Sequence, residues 1–154
     1  MLKESVASVS VIERYEPTAA AQHAARIKLQ TANYNFALDG ATTAGDDFSL
    51  PLAYPIPAGS VVTRIFVTNT AASVGPTNLG LGIVAANDLI ASTAISGAPW
   101  TLGTYEATVV NAPLTTVASD ASALLLTPTV AAHSAGDITF AVEYLEPSTG
   151  SELR

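Results

Sequence analysis

Apolar and polar positions alternate with a period of two over most of this chain, the signature of strands with one dry face. The clearest case is GDITFAVEYLE near the carboxyl end. There Ile138, Phe140, Val142 and Tyr144 interleave with Thr139, Ala141, Glu143 and Leu145. From Ala25 onward Ile27 and Leu29 fall on one side and Arg26, Lys28 and Gln30 on the other. The apolar phase then moves to Tyr34, Phe36 and Leu38, so a bulge or break is expected near residues 31–33. DGATTAGDD at 39–47 reads as a loop.

FSLPLA is expected to be a short edge strand, because Pro51 cannot donate to a ladder. In YPIPAGS, Pro55 and Pro57 hold Tyr54 and Ile56 extended, and Ala58–Gly59 turns the chain. The following strand is expected to bury Val61, Thr63, Ile65 and Val67 and to expose the face with Val62, Arg64, Phe66 and Thr68. In NLGLGIV, Leu79, Leu81 and Ile83 share a side. Gly80 and Gly82, opposite them, predict close approach by another backbone or bulky group. Asn87–Asp88 is placed to cap a short helical turn, and Trp100 in APWTLG sits in a loop over a core edge. TYEATVV and SALLLTPTV are further strands.

About eight strands separated by Gly, Pro, Asn and Ser turns, with no long helix, define an all-β chain. The expected fold is a jelly-roll-like antiparallel β-sandwich, ahead of a Greek-key sandwich of another order. Residues 1–24 lack a sustained pattern, although Val9 and Val11 alternate with Ser8 and Ser10 before Pro17 intervenes. They are read as an extended amino-terminal arm, and residues 25–154 as the sandwich domain.

Composition narrows the function. The chain has 154 residues, 49% of them hydrophobic and only 12% charged, about half the usual charged share. So little charge implies surface that another molecule covers. The net charge of −7 argues against nucleic acid or an anionic membrane as partner. Lys3, Arg14, Arg26 and Lys28 lie in the first thirty positions, and no Lys or Arg falls between Arg64 and Arg154. The arm is therefore close to neutral and the body acidic. There is no cysteine, which excludes disulfides and thiolate sites and fits either a reducing compartment or assembly inside a cell. The first residues lack a secretory layout, and no apolar run is long enough to span a bilayer.

The chemical inventory is short. His23 and His133 sit among small residues and read as surface-loop histidines, and no serine has a nucleophile-elbow setting. Asp39, Asp46 and Asp47 lack calcium-loop spacing and read as a solvated loop. The Gly80–Gly82 run has no phosphate-loop Lys. The chain is expected to be no enzyme and to need no cofactor or metal.

Read in order, ARIKLQTANYNFAL, IPAGSVVTRIFVTNTAASVGPTNLGLGI, AANDLIASTAI and AGDITFAVEYL resemble a family of small virion proteins of tailed bacteriophages, the capsid decoration (cement) type. The resemblance spans roughly residues 25–146. It implies a β-domain on the outer surface of the capsid, often a homotrimer, that bridges neighbouring subunits of the major capsid protein, with the arm reaching across the capsid or a sister subunit. Assembly in the host bacterial cytoplasm follows from it. Lys3, Arg14, Arg26, Lys28 and Arg64 are the candidate capsid or subunit contacts; for Arg64 a salt bridge is an equal alternative. A head-fibre or tail adhesion module binding a host-surface glycan is the competing reading. It would need an exposed aromatic platform, for which Trp100 and Tyr105 are the candidates.

Overall fold

The computed structural model describes residues 27–110 and 117–147. Eight strands run in chain order: β1 (Ile27–Asn35), β2 (Phe48–Ile56), β3 (Val61–Val74), β4 (Asn78–Gly82), β5 (Ile90–Ala94), β6 (Gly103–Ala107), β7 (Ala121–Thr129) and β8 (Ala135–Leu145). One turn of helix, α1 (Phe36–Asp39), follows β1. The strands form two four-stranded sheets, β1-β8-β3-β6 and β2-β7-β4-β5. Every pairing is antiparallel, and β1 pairs with β8, β2 with β7, β3 with β6 and β4 with β5. A long hairpin rolled up on itself produces this nesting, and it is the jelly-roll arrangement expected from the sequence. The amino-terminal arm lies outside the described residues.

The core lies between the sheets. Ile138, Phe140, Val142 and Tyr144 of β8 all point into it, as their alternation requires. Leu50, Leu79, Leu81, Leu124 and Leu126 meet them from the second sheet. Trp100, carried by the β5–β6 loop, is buried against the edge of the Phe140 ring at 6.3 Å between centroids. Its indole N–H donates to Thr93 Oγ1 at 2.9 Å, so burying the polar edge leaves nothing unpaired.

Two strand phases differ from expectation. β1 pairs with β8 without a break from Ile27–Leu145 to Asn35–Asp137, so there is no bulge near residues 31–33. Ala32 and Tyr34 face the core, whereas Ile27 and Leu29 lie on the outer face and are exposed. The apparent slip arose from apolar residues on the outer face. Phe36 and Leu38 do not continue the strand. Asn35 ends it by accepting from the Ala37 amide while its own amide donates to Asp39, a reciprocal cap that starts α1.

β3 carries the bulge instead, between Val62 and Arg64 in its pairing with β8. Val62 is fully buried, and so are Ile65 and Val67, but Val61 and Thr63 are only half-buried. The extra residue shifts the phase, so the expected core face is right at Ile65 and Val67 and wrong at Val61 and Thr63.

The glycine expectation in β4 holds. A Cβ at Gly80 would run into the side chain of Asn87, and one at Gly82 into the carbonyl of Ala85. The 83–89 loop thus folds back over the strand. Asp88 does not cap a helix; its carboxylate accepts from the amides of Ile83, Val84 and Ala85 and closes that loop.

Candidate interaction surface

The outer face of the first sheet is assembled by register. Its rows are Ile27–Leu145–Val61, Leu29–Glu143–Arg64, Thr31–Ala141–Phe66–Glu106 and Asn33–Thr139–Thr68–Thr104. Apolar residues occupy one end and short hydroxyl and amide side chains the other. Arg64 stands in the middle, exposed, with its Nε 3.9 Å from Oε1 of both Glu106 and Glu143. Neither contact is close, and Glu143 also accepts a 2.6 Å hydrogen bond from Thr63. The guanidinium is held loosely between two carboxylates and stays accessible. At such exposure each ion pair contributes little, about 0–1 kcal/mol.

Lys28 is exposed on β1, paired in register with Tyr144. It therefore lies on the opposite side of the sheet from Arg64, at the rim of the core rather than beside it. Lys3, Arg14 and Arg26 lie outside the described residues. Of the five candidate contacts, the structure places two and does not bring them together.

The end of the sandwich formed by α1 and the β1–β2, β3–β4, β5–β6 and β7–β8 loops is a second surface, here called the tip. Leu38, Val74, Leu102 and Val130 are exposed there. Val130 has φ of 73°, a left-handed conformation that a β-branched residue adopts only under strain. Asp39, Asp46, Asp47 and Asp137 belong to the same end, and among the described residues no Lys or Arg does. The expected solvated loop at 39–47 is tied down rather than free. Asp47 accepts from Thr127 at 2.6 Å, the Gly45 amide donates to the Pro128 carbonyl at 2.8 Å, and Thr42 is buried.

His133 is not on the surface: it is only 2% exposed. Its backbone amide donates to Thr42 Oγ1, and the same oxygen lies 3.0 Å from the ring Nδ1. The ring rests on Tyr34, 4.7 Å between centroids. Burial holds the imidazole down at about 4, so it is neutral at pH 7. Burial, with help from Asp39, pushes the Tyr34 phenol up to about 12, and its hydroxyl donates to the Gly40 carbonyl. Sequence reasoning missed this cluster because its members come from three separate segments and no spacing links them. The pairing of a single His with small neighbours was the only available signal.

Among the described residues no group of three or more His, Asp or Glu converges to hold a metal ion, and no helix is long and apolar enough to cross a membrane. Trp100 is buried and Tyr105 is half-buried, with its hydroxyl 2.6 Å from that of Thr101. They form no exposed aromatic platform.

No protein-family model matches the sequence, and no curated protein does. Solved structures share the fold. A chain of the cyanophage Pam1 capsid asymmetric unit aligns over 79% of this chain and 85% of its own, with a TM-score of 0.55 and 20% identity. For the capsid of Ralstonia phage GP4 the shares are 80% and 86%, with a TM-score of 0.58 and 16% identity. For the acidic stable capsid of Helicobacter pylori bacteriophage KHP30 they are 79% and 89%, with a TM-score of 0.52 and 15% identity. This chain is thus similar in fold, over most of its length, to chains of three phage capsid structures.

Proposed function

We propose that this chain is a structural protein of a phage virion, a capsid decoration protein that binds the outer surface of the head and bridges subunits of the major capsid protein. The observation that carries the reading is the fold similarity to chains in phage capsid structures, which covers 79–80% of this chain and 85–89% of those chains. A fold shared over about four-fifths of this chain and most of the others is what a common architectural role would leave. The sparse charge supports it, since 12% charged residues is little for a surface that water alone would cover. So does the exposure of Ile27, Leu29, Leu38, Tyr54, Leu102 and Val130.

In this role the protein acts by burying apolar surface that neighbouring capsid subunits present together. A homotrimer would turn three weak contacts into one strong attachment through effective concentration. Residues 1–24 would serve as the arm beside the domain at 25–154. Lys3, Arg14, Arg26, Lys28 and Arg64 would meet acidic groups on the capsid or a sister subunit.

Purified protein added to undecorated, expanded heads tests the reading. It should bind at a saturating copy number set by capsid symmetry and raise the temperature at which the heads open. Absence of binding to heads, with binding to host cells instead, would overturn it in favour of the glycan-binding module. Removing residues 1–24 should weaken attachment while the domain stays folded.

A further inference from the structure

We propose that the Thr42–His133 pair is an acid-released clip that holds the tip loops together at neutral pH and lets them part at low pH while the sandwich stays folded. This goes beyond the virion role and does not depend on it.

Thr42 Oγ1 accepts from the His133 backbone amide, so its own hydroxyl proton needs an acceptor. His133 Nδ1 lies 3.0 Å away; the hydroxyl donates to it when the ring proton is on Nε2, and it donates to the hydroxyl oxygen when the proton is on Nδ1. Nε2 is buried and has no protein hydrogen-bond partner. A second proton turns both ring nitrogens into donors, so Nδ1 can no longer accept from the threonine hydroxyl and Nε2 carries a buried N–H without a partner. A charged ring would then sit in a buried site with no counter-ion among the described residues.

The groups facing the ring from each neighbouring element offer no rescue. β1 contributes Tyr34, whose phenol points to the Gly40 carbonyl. The β1–β2 loop contributes Thr42. Ser73 Oγ of β3 and His133 Cδ2 both lie within 4 Å of the Cβ position that Gly136 of β8 leaves vacant, so this side is lined by a hydroxyl and a glycine. The carboxylates on these elements are turned to other work. Asp39 caps α1, Asp47 accepts from Thr127, and Asp137 accepts from Asn33 and Asn35. Asp46 is at the end of the same loop, and the cause that lowers the ring's proton affinity is burial. Lys28 and Arg64 lie toward the other end of β1 and β3.

What the clip joins is specific. The 36–47 segment meets the 128–134 segment through the Thr42–His133 pair and the Gly45–Pro128 bond, and Ser134 ties the second segment to Val74. Val130, with its left-handed backbone, sits in that same segment. Opening parts the imidazole from the ring of Tyr34, at the edge of the core, while the pairing of the two sheets lies below it.

The sign follows from linkage. A closed tip excludes the proton from His133 until about pH 4, whereas an open tip takes it up near the ordinary histidine value of about 6.5. The closed form is therefore fully favoured above about pH 6.5. Below that the opening constant rises by up to roughly tenfold per pH unit, to about 150-fold near pH 4.

Amide hydrogen exchange on the full chain, at steps from pH 7.5 to 4 and corrected for intrinsic exchange chemistry, tests the proposal. Gly45, His133 and Ser134 should gain opening along this slope while Phe140 and Val142 do not. In His133→Gln, whose amide oxygen can accept from Thr42 without taking a proton, the slope should vanish. Tip and core amides opening together, or an unchanged slope in His133→Gln, would overturn the proposal. If that variant does not fold, the ring resonances of His133 in the unaltered protein decide: a titration midpoint well below 6 supports the clip, and one at 6 or above refutes it.

Discussion

The slab between the sheets and the tip above it are held together by different physics. In the slab, apolar side chains from both sheets interdigitate, and each fully buried residue shares its neighbours with several others. At the tip, a few polar groups carry the structure: Thr42 with His133, Asp47 with Thr127, and Gly45 with Pro128. Apolar burial is spread out, insensitive to pH and cooperative. A short polar network is local, directional and dependent on protonation. The difference teaches that within one sandwich the body and the tip respond to different perturbations, the first to lost volume and the second to a lost hydrogen bond.

The sharpest test of the contrast is truncation in the slab. Phe140→Ala removes a ring that packs on Trp100 at the centre of β8 and should cost about 3–5 kcal/mol, a Tm loss on the order of 10 °C. Calorimetry should show a single transition moved as a whole. A second, unmoved transition would mean that body and tip fold independently.

Next comes the tip network. Thr42→Val keeps the shape but strands the His133 amide and Nδ1, and should cost about 1–3 kcal/mol. Exchange at Gly45 and Ser134 should rise at pH 7, while Phe140 should change only as far as global stability does. Uniform loss across the chain would break the comparison.

The pH dependence should divide the same way. His133 has its folded value lowered, so it stabilises the native state above about 6.5 and that contribution fades as the pH falls toward about 4. The unaltered protein should lose Tm over this window relative to His133→Gln, by melting curves recorded at matched ionic strength. Tyr34 has its value raised to about 12, so it contributes below about 10 and loses its contribution only in strong alkali.

Smaller effects sharpen the picture. Val130→Gly relieves a left-handed β-branched residue, and should gain about 0.5–1 kcal/mol after glycine's chain entropy is subtracted. Arg64→Ala should change stability least, by under about 0.5 kcal/mol, because its two ion pairs are long and wet. If that variant nevertheless binds heads more weakly, the residue works at an interface and not in the fold.

Much of the fold was legible in the chain. The alternation in β8 and the glycine pair in β4 have local causes, a two-residue pleat and a strand too crowded for side chains on one face. β1 and β3 misled for the same physical reason. A period-two pattern assigns faces only relative to itself, so outward apolar residues such as Ile27 and Leu29 or a single inserted residue near Thr63 invert the reading. His133 was misjudged because small neighbours in sequence say nothing about which rings arrive from elsewhere.

By itself, then, the sequence determined an all-β domain of eight strands, its strongest core strand, its acidic body and its lack of recognised catalytic motifs. These follow from residue type and spacing, which act locally. The tertiary structure alone decided the roll-up that pairs β1 with β8, the outer face on which Arg64 meets two glutamates, and the burial of His133 against Thr42 and Tyr34. Each depends on residues far apart in the chain being brought within a few ångströms, and only folding does that.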